Sequence, residues 1–257
     1  MNVFKLPRCL CKDIEAMIRK FWWGQGEARK IHWVKWSTLC TSKSVGGMGF
    51  RDLQLFNNAL LAMQVWRLFH HKDSLVYKVF QAKFFPSGNI FDVVIPSRCS
   101  YAWRSILQAR DVILKGAVWW VGDGRSINIW EQRWVPNLST SKVVSSRSNS
   151  HEAEEISRIH VSPYCQIDAY VWPLTLNGDY SVRSAYKMLV SEVMASVQAS
   201  SSTDNSAKVW KGVWRIRTPN KIRHFMWRAV KDSLPTKENL HKHQIPLDES
   251  CSLCEEY

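Results

Sequence analysis

Two groups of residues have the types and spacing to do chemistry. Cys251 and Cys254 form a Cys-x-x-Cys pair. That spacing lets two thiolates hold one tetrahedral zinc ion across a tight turn, and a closed structural site needs four such ligands. The second group is the run from Lys208 to Lys231. Lys208, Lys211, Arg215, Arg217, Lys221, Arg223, Arg228 and Lys231 interleave there with Trp210, Trp214, Phe225 and Trp227. Cations neutralise phosphates with release of counterions, and aromatic faces stack on unpaired bases. Trp210 and Trp214 are four apart and share a helix face suited to packing. The run is therefore assigned a mixed role, with aromatics in a core and cations on phosphate. A second basic group holds Lys12, Arg19, Lys20, Arg29, Lys30 and Lys35. It suits backbone contact, which gives affinity without sequence readout.

Other chemistries find less support. Gly46, Gly47 and Gly49 make a flexible turn, but no Gly-Lys-Ser/Thr follows to build a phosphate loop. No Gly-x-Ser-x-Gly nucleophile motif occurs. A redox Cys-x-x-Cys needs a helix N-terminus beside a sheet, whereas Cys254 is followed by Glu255-Glu256-Tyr257. His241 and His243 are two apart, so on a helix they point to different faces and share one ion awkwardly. The seven cysteines are an odd number, and Cys9 and Cys11 suit neither a disulfide nor zinc. Reduced thiols are expected.

Composition sets the class of partner. The chain has 257 residues, 46% of them hydrophobic, and a formal net charge of +13. A basic balance of this size favours polyanions. Residues 1–136 hold 20 Lys/Arg against 9 Asp/Glu, residues 137–207 hold 5 against 7, and residues 208–257 hold 10 against 6. Two basic blocks thus flank a neutral, Ser-rich middle. The 14 tryptophans are either large core residues or stacking platforms, with core the default for each. No apolar run approaches the roughly 20 residues of a membrane helix, and Met1 to Cys11 does not read as a signal peptide. The expectation is a soluble, intracellular protein with no membrane partner and no small-molecule substrate.

The elements that must position these residues read as mainly α with small β (α+β). Apolar spacing predicts helices over 9–22 and, shorter, over 33–40. Asp52 is placed to cap a helix to about His70. Asp73 is placed to cap a second, burying Leu75, Val76, Val79, Phe80 and Phe84 and ending at Pro86. Ser100 is placed to cap a third that stops at Gly116. Ala117–Val121 and Ser126–Trp130 flank Gly122-Asp123-Gly124, which predicts a β-hairpin. Tyr170–Leu174 and Tyr180–Val182 are candidate paired strands. Helices are expected over 184–193, 209–216 and 220–232, with a last one capped by Thr236. Residues 137–150 and 199–207 read as loops.

The run Phe21–Trp36 (FWWGQGEARKIHWVKW) and Gly46–Leu68 (GGMGFRDLQLFNNALLAMQVWRL) resemble plant LINE-type (non-LTR) retrotransposon reverse transcriptases just downstream of the polymerase palm. Ser100–Ile106 and Gly122–Trp134 continue the pattern in order. Gly178–Tyr186, Val209–Thr236 and the Cys251–Cys254 pair resemble that family's zinc-binding domain. The resemblance implies a helical thumb or post-palm region over 1–136, a Ser-rich linker over 137–164, and a truncated zinc-binding domain over 165–257. It also implies sequence-nonspecific contact with RNA or DNA in the nucleus, or in an organelle. The family's palm uses a paired Asp-Asp for metal-assisted phosphoryl chemistry, and this sequence has no such pair. The expectation is therefore a non-catalytic chain. The family's downstream His and Cys ligands do not follow Cys254, so zinc is possible but its site is incomplete. Two further readings are a decayed retroelement fragment without selected activity and an adaptor that binds protein.

Overall fold

The computed structural model describes residues 2–24, 31–86, 89–135, 138, 141–143, 150–159, 167–197 and 204–245. In chain order the helices are α1 (Arg8–Trp23), α2 (Trp36–Cys40), α3 (Leu53–His70), α4 (Leu75–Phe84), α5 (Tyr101–Gln108), α6 (Arg110–Gly116), α7 (Ser150–Ser157), α8 (Val182–Val197), α9 (Asp204–Arg215), α10 (Asn220–Val230) and α11 (Lys237–Lys242). A 3-10 turn covers Lys43–Val45, and two strands, β1 (Val118–Trp120) and β2 (Ala169–Val171), pair antiparallel. The molecule is mainly α with small β, as the periodicity implies.

The chain forms two compact units, each drawn from two stretches of sequence. One comprises residues 1–7 and 54–198, the other 8–53 and 199–257. These units do not follow the linear charge blocks 1–136, 137–207 and 208–257. Composition reports charge and polarity along the chain, whereas packing joins whichever apolar faces fit.

In the first unit, α3 supplies Leu61, Val65 and Leu68 to a core shared with Ile106 and Leu107 of α5, Ile113 of α6 and Leu189 of α8. Trp103 is fully buried, and Phe80, Phe84 and Phe85 all lie nearly parallel to it at ring distances of 4.9, 4.8 and 5.7 Å. That stack decides which side of α4 faces inward. Phe80 and Phe84, four apart, turn to Trp103 and leave Leu75, Val76 and Val79 exposed, contrary to the burial expected of them. The α4 cap is Ser74, whose hydroxyl accepts from the Tyr77 N–H, rather than Asp73. Ser100 caps α5 as expected. Gly116 ends α6, but it has a packing reason as well. A Cβ there would sit 2.2 Å from the Trp172 ring, which is itself fully buried with its indole N–H donating to Ser184 Oγ at 2.7 Å.

The expected hairpin about Gly122–Gly124 does not form. Val118, Trp119 and Trp120 pair with Val171, Tyr170 and Ala169 instead, and the Trp119 N–H donates to the Arg133 carbonyl on the other side. The reason lies in Asp168. Its buried carboxylate accepts from the backbone N–H groups of Gly122, Gly124 and Ser126 at 2.7, 2.9 and 2.8 Å, which curls the loop around it. Tyr180–Val182 is likewise not a strand. Trp172 N–H donates to the Gly178 carbonyl across a turn, and α8 begins at Val182. Within the expected linker, α7 forms over Ser150–Ser157.

The second unit is built on tryptophan. Trp23, Leu39, Trp210, Val213 and Trp227 are buried together, with Trp22, Trp33, Trp36, Phe50 and Trp214 packed around them. α1 forms nearly where its periodicity places it, but Trp22 and Trp23 set its inward face. Leu10, Met17 and Phe21 are consequently exposed and Cys11 is buried. The glycine turn after the 3-10 helix serves packing. Gly46 has φ +86°, a Cβ on it would meet the Trp210 indole at 2.6 Å, and its carbonyl accepts from Trp227 Nε1 at 3.0 Å. Two predictions follow from these cores. Trp227→Ala should destabilise its unit by about 3–5 kcal/mol through a buried cavity. Trp227→Phe should cost about 1–3 kcal/mol, chiefly the orphaned Gly46 carbonyl; both are read by urea unfolding followed through tryptophan fluorescence. For Asp168, burial alone would raise the carboxyl, but hydrogen bonds from Ser126, Gly122 and Gly124 together hold it below its ordinary 3.8. Its contribution is therefore complete above pH 3.8 and is lost as pH falls through the lower folded value. Asp168→Asn should lose about 1–3 kcal/mol at neutral pH and show a flatter acid limb in a melting-temperature profile.

Candidate nucleic-acid interface

The basic run lies on α9, α10 and the turn between them. On α9, Lys208, Lys211 and Arg215 recur at i, i+3 and i+7 and are exposed, while Trp210 and Val213 on the opposite side are buried. Arg217 in the turn and Lys221 in the first turn of α10 are exposed too. Among the described residues these five cations have no carboxylate partner. Asp232, the acid at the end of the run, is occupied internally. Its backbone carbonyl and its carboxylate both accept from the Asn239 amide, at 3.1 and 3.0 Å.

Of the other three cations of the run, two lie over rings of the aromatic core. The Arg228 guanidinium sits 5.0 Å from the Trp23 ring centre and Lys231 Nζ 5.0 Å from that of Trp210. Burial pulls the Lys231 ammonium below the usual lysine range. Arg223 is half-buried and donates through Nη2 to Asn220 Oδ1 at 2.7 Å. Among the aromatics of the run, Trp227 is fully covered and Trp210 nearly so, whereas Phe225 is 59% exposed. Lys12, Lys20 and Lys35 are exposed and Arg19 is half-buried. Arg29 and Lys30 lie outside the described residues.

Two residues that sequence spacing did not single out belong to the same surroundings. Lys43 extends over the Trp214 ring at 4.5 Å. His224 lies edge-on to Trp22 at 4.9 Å and to Trp214 at 6.5 Å. Its imidazole is pushed below the ordinary histidine value by burial first, and then by Lys43, Arg228 and Arg223. The Lys-x-Arg-His pattern of the α10 start carries no signal for this, because Lys43 and Trp22 come from distant sequence.

Zinc has less to stand on. Cys251 and Cys254 lie outside the described residues. Among the described residues no group of three or more His, Cys, Asp or Glu side chains could hold a metal ion. His243 is edge-on to Trp33 at 5.1 Å, so its ring has a packing role. Burial, with Asp52 and Glu15 adding to it, pushes the Cys40 thiol up to about 12. Burial likewise raises the Cys11 thiol, aided by Glu15, Asp52 and Cys9. Neither is a ready thiolate for metal or nucleophilic chemistry. No helix among the described residues is long and apolar enough to cross a membrane.

Comparison with known proteins agrees with the sequence motifs. The family described as zinc-binding in reverse transcriptase matches residues 180–257. An "Uncharacterized mitochondrial protein" of Arabidopsis thaliana is 40% identical over 137 residues, covering 52% of this chain and 89% of that protein. A "Putative ribonuclease H protein" of the same plant is 28% identical, covering 99% of this chain and 45% of that protein. The chain thus spans less than half the length of the second relative. No solved structure matches it. On these similarities, the chain belongs to the plant retrotransposon reverse-transcriptase family that carries this zinc-binding domain.

Proposed function

We propose that this chain provides sequence-nonspecific contact with the RNA or DNA backbone in a LINE-type reverse transcriptase, and that it is itself non-catalytic. The observation that carries the reading is the row of Lys208, Lys211 and Arg215 on the outer side of α9, extended by Arg217 and Lys221. Five exposed cations without carboxylate partners among the described residues can give affinity for phosphates and little readout of bases. Arg228 and Lys231 brace the aromatic core and hold the helices that present that row, while Arg223 bonds to Asn220 on its own helix. Arg29 and Lys30 are proposed as further backbone contacts. Cys251 and Cys254 are proposed as two of the four ligands of a zinc ion, with the remaining pair to come from elsewhere. An intracellular place of action, nuclear before organellar, goes with the same reading.

A second reading, an adaptor that binds protein, draws on α4. Leu75, Val76 and Val79 expose an apolar strip there, with Leu75 77% accessible. Salt separates the two readings. Binding to labelled single-stranded RNA, single-stranded DNA and duplex should weaken linearly in log–log form. The slope should approach roughly 3.5 to 4.5 if all five exposed cations meet phosphates, at about 0.7–0.9 each. Replacing Lys208, Lys211 and Arg215 together by Gln should lower that slope by roughly 2 to 3. An absence of binding at low salt by the folded chain would contradict the proposal and leave a retroelement remnant without selected activity.

A further inference from the structure

His224 occupies an unusual electrostatic position. The charges that act on it are Lys43 from the 3-10 helix and Arg223 and Arg228 from its own helix α10. Among the described residues no carboxylate offsets them. From α1 and α9, the elements packed beside it, come the rings of Trp22 and Trp214, while α1 carries Arg19 one turn before Trp22 and Trp23. The hydrogen-bond inventory leans the same way. The Nε–H groups of Arg19, Arg223 and Arg228 and the indole N–H groups of Trp22 and Trp214 are shielded from water and have no acceptor. Buried donors are nearly always paired. Although Arg223 Nη2 has Asn220 Oδ1 as an acceptor, these five donors have none among the described residues, and such an excess of donors and like charges is what an incoming oxyanion relieves.

We propose that Lys43, Arg223, His224 and Arg228, walled by Trp22 and Trp214, form a phosphate-binding site in which His224 takes up a proton as the anion enters. The proposal rests on the nucleic-acid reading for the source of the phosphate, a phosphodiester of a bound strand. The site itself is separate from the exposed row on α9. Without an anion, burial and three neighbouring cations keep the imidazole neutral. A phosphate brought against them reverses the local field, and the protonated ring then donates a charge-assisted hydrogen bond. The proton comes from solvent, so tighter binding must accompany lower pH near neutrality.

The test uses the full chain and two probes, a dT12 oligonucleotide and pyrophosphate. Proton NMR of the His224 ring should show it titrating below the ordinary histidine value in the free chain and moving up by about one pH unit or more, a tenfold coupling, with saturating pyrophosphate. Affinity for dT12 should rise several-fold between pH 8 and pH 6. His224→Gln should abolish that pH dependence while leaving salt-sensitive binding. Lys43→Gln, at an exposed position, should weaken pyrophosphate several-fold. The Lys208, Lys211 and Arg215 triple variant should lose dT12 affinity but keep the pH dependence. A His224 titration unmoved by pyrophosphate would overturn the site, even if dT12 still binds. Pyrophosphate binding without dT12 binding would keep the anion site and overturn the nucleic-acid reading instead.

Discussion

The Trp227 indole N–H donates to the Gly46 carbonyl across 181 residues of sequence, and much of the second unit depends on that closure. Gly46 can offer its carbonyl because its backbone takes a left-handed turn that the absent Cβ permits. The same missing Cβ lets the Trp210 indole lie against the turn. One small residue thereby joins α9, α10 and the segment after α2 into a single core. The cations of α9 and α10 are held in place by this core, since Trp210 and Trp227 sit on the inner sides of the same two helices. Arg228 and Lys231 add to it from above the rings of Trp23 and Trp210.

The first unit obeys a similar rule with different parts. A buried aromatic sets the orientation of its neighbours, and a few polar side chains satisfy the backbone where the chain is irregular. Trp103 fixes the inward face of α4. Asp168 gathers the loop from Gly122 to Ser126, and Arg110 holds the carbonyls of Ile90, Phe91 and Val93. Tyr180 donates to the Ala59 carbonyl at 2.7 Å and so ties the start of α8 to α3. Asn57 accepts from the Leu6 N–H and donates to the Phe4 carbonyl, which brings residues 1–7 into this unit.

Helical periodicity was legible in the sequence wherever it ran for three turns or more. α1, α3, α8 and α10 fall within a few residues of their expected spans, and Ser100 and Thr236 act as caps, although the helix from Ser100 breaks at Ala109 before Gly116. Side chains that bond to their own helix are local chemistry, and local chemistry can be read from order alone. What could not be read depends on partners far away. The hairpin signal of Gly122-Asp123-Gly124 was genuine turn chemistry, but the carboxylate that organises the turn is 44 or more residues downstream. The apolar strip of α4 has two plausible inner faces, and Trp103 chooses between them. For the interface, sequence could place eight cations on or beside two helices but not separate the five facing water from the two lying on rings and the one bonded to Asn220. Lys43 and His224 carried no motif, since their meeting requires the tryptophan core to close first. Residues 8–53 and 204–245 share family motifs at opposite ends of the chain, and nothing in either stretch names the other.

The second unit depends on that long-range closure. Its most direct measurement is exchange of the Trp227 indole N–H with deuterated solvent, followed by two-dimensional NMR of the full chain and of a chain lacking residues 1–53. The account predicts strong protection of this one indole proton in the full chain, and its loss, together with the dispersion of the Trp210 signals, in the shortened one. Rapid exchange in a folded full chain, or equal protection in both, would mean that residues 204–245 hold their tryptophans without the Gly46 turn, and would contradict it.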